Sequence, residues 1–218
     1  MEKNISEKEK IIKLLKDNGL YIVKQSDFDL LANVAGNAFT DYPLDVYFFG
    51  GKYDEESLKL VIKTNLYSMF GEGIIYSNNK EIDGFVILMP PGYTGSKSLP
   101  FLWNGGFWLL FKQGIGCLNR LSNFESFAMN LKKKYTNNED WYLYMLCVKK
   151  DCQGKKISSK LMKPILNYFK SNKKMCYLET NSDANVPVYE HFGFKVLEKT
   201  IVPNSNVAHY PMLFNENS

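Results

Sequence analysis

Between Trp141 and Phe214 the apolar residues change period repeatedly, and that alternation limits the fold more than any other feature of the chain. "WYLYMLCV" (Trp141–Val148) is a continuous apolar run of strand length. "ISSKLMKPILNYFKS" puts Ile157, Leu161, Ile165 and Phe169 on one helical face. "MCYLET" returns to a strand, and "NVPVYEHFGF" reads as a short helix stopped by Gly193. "FKVLEKTIV" and "AHYPMLF" read as two more strands. Strand, helix, strand, helix, strand, strand is the order of an α/β chain with a mixed sheet. Pro164 lacks the N–H that would reach the Lys160 carbonyl, so a kink is predicted there.

The first part of the chain supplies more helices and a hairpin. Ser6 and Glu9 form a capping box before "IIKLLKD", and Gly19 is a stop signal. "YIVKQ" reads as a first strand. A second helix starts at about Asp27, with Phe28, Leu31, Val34 and Ala35 at helical spacing, and ends in the turn-rich "DYPLD". "DEESLKLVIKTNLYSMFG" is a third helix, opened by acidic residues that suit the positive helix N-terminus. "GIIYSNNKEIDGFVILMPPG" reads as two strands joined at "SNNK" and ended by Pro90 and Pro91. Gly95 to Asn138 holds the aromatic run "FLWNGGFWLLF" and then a helical pattern. It reads as an insertion packed on the domain. The expected organisation is an N-terminal helical extension over residues 1–20 and one domain over 21–218, with the aromatic-rich insertion at about 95–138.

Length and composition narrow the function classes. A chain of 218 residues with 45% hydrophobic residues favours one globular domain with a sizeable core. A net charge of +4 is mild and gives no ground for a nucleic-acid partner. The four cysteines include no CxxC pair, and only His191 and His209 could join them, so no metal site is expected. The start "MEKNISEKEK" is too polar for a signal peptide, and "GGFWLLF" is too short to span a bilayer. The expectation is a cytoplasmic protein, monomer or homodimer, that does not engage a membrane.

The stretch "VKKDCQGKKISSKLM" (Val148 to Met162) holds the candidate site. A strand running into a helix N-terminus exposes backbone N–H groups, which together with the helix dipole bind phosphate. Gly154 admits close approach to the backbone. Ser158 and Ser159 could cap the helix or donate hydroxyls, and Lys155 and Lys156 could add charge. The stretch is neither a Walker motif nor a dinucleotide fingerprint. Taken alone, it reads equally well as an ordinary strand-to-helix turn with exposed lysines.

These residues resemble the GNAT superfamily of acyl-CoA-dependent N-acyltransferases. The family signature Q/R-x-x-G-x-G/A follows a strand of the form L-x-V. Here Gln153-Gly154-Lys155-Lys156-Ile157-Ser158 follows Leu146-Cys147-Val148. "NVPVYEHFGF" is similar to the family's late N-x-x-x-x-Y-x-x-x-G-F element, one residue shorter between Asn185 and Tyr189. The resemblance is strong over about Trp141–Val202 and weaker over Tyr21–Gly92. Lys156 stands where the family usually has glycine, and Ser158 where it has glycine or alanine. If Lys156 is already helical it needs no positive φ, and lysine fits there.

The resemblance implies a GNAT-like fold, with a mixed, mostly antiparallel twisted sheet flanked by helices, and acetyl-CoA as cosubstrate. Leu146, Cys147 and Val148 would meet the pantetheine, and an N–H near Val148 would stabilise the oxyanion. Gly154, Lys155, Lys156, Ile157, Ser158 and Ser159 would hold the pyrophosphate behind Gln153. Tyr189 matches the family's tyrosine that protonates the departing thiolate, although it also reads as a core tyrosine. Glu179 is the candidate base, with His209 or a water as alternatives. Asn185 is expected to cap its helix, and contact with CoA is the sharper reading. The implied reaction is acetyl transfer to a primary amine of a small-molecule acceptor by direct attack in a ternary complex. Acylation of a hydroxyl or of a protein amine, and a non-catalytic CoA-binding sensor, stay open. Phe101, Trp103, Phe107 and Trp108 either wall an acceptor site or pack the insertion onto the sheet.

Overall fold

The computed structural model describes residues 6–95, 101–137 and 139–215. Its centre is a sheet in the order β1-β2-β3-β4-β5-β8-β6, with β7 also paired to β8. The strands are β1 (Tyr21–Ile22), β2 (Ile74–Ser77), β3 (Gly84–Met89), β4 (Trp141–Val148), β5 (Cys176–Thr180), β6 (Lys195–Val196), β7 (Thr200–Ile201) and β8 (Ala208–Phe214). The β4–β5 pair is parallel, and every other pair among the described strands is antiparallel. The expected mixed, mostly antiparallel sheet is present. The predicted strand "FKVLEKTIV" is two short pieces, β6 and β7, both leaning on β8.

Helices cover both faces, because strand residues alternate between two apolar cores. On one face lie α2 (Phe28–Ala38), α3 (Pro43–Phe48), α4 (Glu55–Met69) and α5 (Phe107–Tyr135), packed over Phe85, Ile87 and Met89 of β3. On the other lie α1 (Glu7–Asp17), α6 (Ile157–Ser171) and α7 (Val186–His191), packed over Val86 and Leu88. The capping box of α1 forms as expected, with the Glu9 N–H donating to Ser6 Oγ and the Ser6 N–H donating to Glu9 Oε2. Ile11 and Leu15 of α1 are fully buried in this second core. Helix α6 continues as one element through Pro164.

Two stretches differ from expectation. The turn-rich "DYPLD" is the start of α3, with Pro43 in its first turn, where a fixed φ and a missing N–H cost nothing. The aromatic run is also helical: a wide turn over Leu102–Gly106 leads into α5, which breaks its regular dihedrals at Gly114 (φ 73°). Gly105 lies so close to α4 that an added Cβ would meet Thr64 Oγ1 at 2.6 Å. Arg120 Nε donates to the Phe48 carbonyl (2.9 Å) and ties α5 to α3. Among the described residues, no helix is long and apolar enough to cross a membrane.

Candidate active site

Strands β4 and β5 pair only at their starts, Trp141 with Cys176 and Tyr142 with Tyr177. Beyond Tyr142 they diverge, and β4 continues to Val148 held on its other side by β3. Leu146, Cys147 and Val148 therefore lie on a strand with one edge turned to an open wedge. Opposite Ile87 and Leu88 the register skips Tyr144, a β-bulge. The bulge turns Tyr144 and Met145 to the same face, and both line a cavity of about 410 Å³.

After Val148 the chain makes a 3-10 turn (Lys150–Cys152), passes Gln153 and Gly154, and enters α6 at Ile157. Gln153 does not face the wedge: its Nε2 donates back to the Val148 carbonyl (3.3 Å) and closes the turn. Gly154 (φ 76°) and Lys156 (φ 61°) are both left-handed. The backbone N–H groups of Gly154, Lys155, Lys156, Ile157, Ser158 and Ser159 have no protein acceptor among the described residues. Six unpaired donors at the head of a 15-residue helix are an arrangement able to bind an anion. Gly84 of β3 lets that helix approach the sheet, since a Cβ there would meet Ile157 Cγ2 and the Cys147 carbonyl, each at 2.9 Å.

Two expectations about this turn are corrected. Lys156 is not yet helical; it is the residue before the helix, in the conformation that favours glycine. Ser158 and Ser159 do not cap the helix. Lys156 holds the cap position without a side-chain bond, and both serines already belong to the first turn. A left-handed non-glycine residue costs about 1–2 kcal/mol, partly offset because glycine orders more backbone on folding. Lys156→Gly is therefore expected to raise the melting temperature by about 2–4 °C, measured by thermal unfolding. A fall would mean that the lysine side chain contributes more than its backbone costs.

Glu179 and Tyr189 both line the same cavity. Glu179 projects from β5 toward the first core, where Tyr142 Oη donates to its Oε2 (2.7 Å). Its Oε1 has no partner, and the nearby Tyr177 hydroxyl does not complete a bond to it. Burial pushes the carboxyl up to about 7, against the opposing pull of the tyrosine and of buried Lys132. Lys132 Nζ donates to the Tyr93 carbonyl (3.1 Å) and lies 5.7 Å from the Tyr142 ring centre. Sequence reading missed Tyr142 and Lys132, because a tyrosine in an apolar strand and a lysine in a lysine cluster carry no signal. Tyr189 on α7 packs edge-to-face on Phe194 (6.0 Å), and burial keeps its hydroxyl protonated well above the ordinary range.

The remaining candidates divide. Asn185 sits at the start of α7 without capping it; its Nδ2 donates to Thr180 Oγ1 (3.3 Å), and the residue lines the cavity. Thr180 in turn shares a hydrogen bond with Tyr42 Oη (3.3 Å), which also accepts from the Asn181 N–H (2.7 Å). His209 is fully buried, with its ring against Phe124 and Phe127 and its Nδ1 3.1 Å from Asn181 Nδ2. Burial lowers it to about 4, and it does not line the cavity. Of the aromatic run only Phe101 and its neighbour Leu102 line the cavity. Trp103, Phe107 and Trp108 neither line it nor pack onto the sheet; they face outward, with Trp103 77% exposed.

Residues 131–215 match the family model described as an acetyltransferase (GNAT) domain. Over that span the chain is similar to the GNAT superfamily. The matched span contains the divergent strands, the turn with unpaired amides, Glu179 and Tyr189. A curated relative, an uncharacterized N-acetyltransferase of Schizosaccharomyces pombe, is 26% identical over 191 residues, covering 84% of this chain and 77% of its own length. Solved structures share the fold. One described as histone acetyltransferase HPA2 and related acetyltransferase, from Corynebacterium glutamicum, has a TM-score of 0.59 at 16% identity, over 90% of this chain and 94% of that one. An N-acetyltransferase from Staphylococcus aureus Mu50 has a TM-score of 0.56 at 14% identity, over 89% and 98%. GNAT acetyltransferases generally use acetyl-CoA.

Proposed function

We propose that this chain transfers an acetyl group from acetyl-CoA to a primary amine of a small-molecule acceptor, by direct attack in a ternary complex. One observation carries the reading: a half-paired carboxyl, Glu179, faces a cavity whose wall is the same open strand that leads to six unpaired amides. In this reading the amides from Gly154 to Ser159 hold the pyrophosphate of CoA. The free edge of Leu146, Cys147 and Val148 holds the pantetheine and supplies an oxyanion donor. The thioester then lies across the wedge, and the acceptor enters from the aromatic side.

The chemistry assigned to the side chains balances. The amine nitrogen attacks the thioester carbonyl, its N–C bond forms, and the C–S bond breaks. Glu179 takes the proton that the amine loses. Its elevated pKa makes it a stronger base than an ordinary carboxylate, and one still ionised near neutrality. Tyr189, kept protonated by burial, hands its proton to the departing thiolate. Tyr142 orients the Glu179 carboxyl through its 2.7 Å bond.

The test is thiol release from acetyl-CoA across a panel of amines, alcohols and a lysine peptide. Release with small amines is expected. Release only with alcohols or only with the peptide would replace the acceptor assignment, and no release with CoA still bound would make the chain a sensor. Tyr189→Phe is expected to lower kcat by about a hundredfold while the thermal stabilisation by CoA is unchanged. Full kcat in that variant would remove Tyr189 from the mechanism.

A further inference from the structure

The cavity holds a carboxyl that the acetyl-transfer reading leaves unused. Asp45, in the first turn of α3, lines the cavity and is only 8% exposed. Among the described residues, no donor or cation reaches its side chain, and burial is the only influence on its charge. A buried carboxyl without a partner is costly, since both desolvation and lost hydrogen bonding oppose it. The hydroxyls of Tyr42 and Tyr53 feel its charge, and each is committed elsewhere: Tyr42 to Thr180 and Asn181, Tyr53 to the Gly36 carbonyl.

The rest of the cavity lining has one charge sign. Asp45, Glu125 and Glu179 line it, and no lysine, arginine or histidine among the described residues does. Phe39, Phe48, Phe124 and Tyr93 are among the apolar and aromatic walls between the acids. A chain with a net charge of +4 has therefore built an acidic, aromatic-walled chamber. Such a chamber favours a desolvated cation on both electrostatic and cation–π grounds.

We propose that Asp45 receives a second, non-reacting ammonium group of the acceptor, so that the preferred substrate class is a diamine with an apolar spacer. The proposal rests on the assignment of Glu179 as the base at the reacting amine. That amine must lose its proton before it attacks, so a charge held at Asp45 belongs to another nitrogen. One end of the acceptor meets Glu179 on β5, the other meets Asp45 on α3, and the spacer runs along the aromatic wall. The ion pair replaces the missing partner of Asp45, and the spacer replaces water on the apolar wall.

The experiment compares α,ω-diaminoalkanes with n-alkylamines of matched length, by acetyl transfer and by thermal stabilisation of the CoA-bound protein. Wild type is expected to prefer the best diamine by about tenfold to a hundredfold in kcat/KM, the range for a charge-assisted bond that a monoamine cannot make. In Asp45→Asn and Asp45→Ser that ratio should collapse toward unity, while Glu125→Gln keeps it. Stabilisation by CoA alone serves as the folding control for each variant. Equal preference for the two amines in wild type overturns the proposal. So does a preference that survives both Asp45 variants, or one abolished by Glu125→Gln instead. If no amine releases thiol, the catalytic reading falls, and stabilisation of wild type by the diamine over the monoamine still decides for or against Asp45.

Discussion

Replacing Glu179 by Gln is expected to lower kcat/KM by about 10²- to 10⁴-fold, the contribution of a positioned general base. The substitution keeps the shape of the side chain and leaves the amide oxygen able to accept from Tyr142 Oη. What it removes is the proton acceptor. The pH profile separates this from damage to binding. The carboxyl is pushed up to about 7, so in wild type the deprotonated, active form is lost as pH falls through 7. Below that point kcat/KM should fall by a further tenfold per pH unit, on top of the dependence set by the acceptor's ionisation, which alone governs the rate above it. In Glu179→Gln the inflection near 7 should vanish and only the acceptor's own inflection should remain. A variant that retains the neutral inflection would show that the titrating group is elsewhere.

The two halves of this site differed in how readable they were, for physical reasons. The turn proposed to hold pyrophosphate was legible because its requirements are local: a strand, a helix start and Gly154 at a left-handed position are neighbours in the chain. Even there the sequence misled at Lys156, since nothing in a lysine announces a φ of 61°. The cavity assigned to the acceptor was not legible, because it is assembled from six distant helices and strands and the loops between them. Asp45 lay in "DYPLD", where aspartate and proline read as turn formers, whereas Pro43 opens a helix that carries the carboxyl inward. Tyr144 and Met145 share a face only because of a bulge, which breaks the two-residue alternation that strand reading assumes. The aromatic run was legible as apolar but not as to where it points, since helical phase across Gly105 and Gly114 depends on dihedrals that side-chain type does not encode.

The unliganded protein is expected to lose stability as pH rises from about 4 to 8, and Asp45→Asn to remove most of that loss. Burial raises the carboxyl from an ordinary 3.8 in the unfolded chain to about 8 in the folded one. Between those values the folded state holds a proton that the unfolded state has released. The stability contribution is therefore fully present below about 4 and is lost as pH climbs through 8. Each unit of separation corresponds to about 1.4 kcal/mol. Partial hydration of the ionised form through the cavity lowers the realised effect to about 2–4 kcal/mol. Glu179 adds a smaller loss of the same sign that ends near pH 7, while buried His209, lowered to about 4, opposes both below about 6.5. Above about pH 6.5, therefore, Asp45→Asn should leave a shallow slope and the double variant with Glu179→Gln should be nearly flat. Urea unfolding at about pH 5 and about pH 8 measures this directly, with equal wild-type midpoints counting against a desolvated Asp45. The diamine supplies the opposite linkage. An ammonium beside Asp45 favours the ionised carboxyl, so the stabilisation gained on binding should grow with pH in wild type as long as the amine stays charged. In Asp45→Asn that growth should be absent, because the acid that senses the ligand's charge is no longer there.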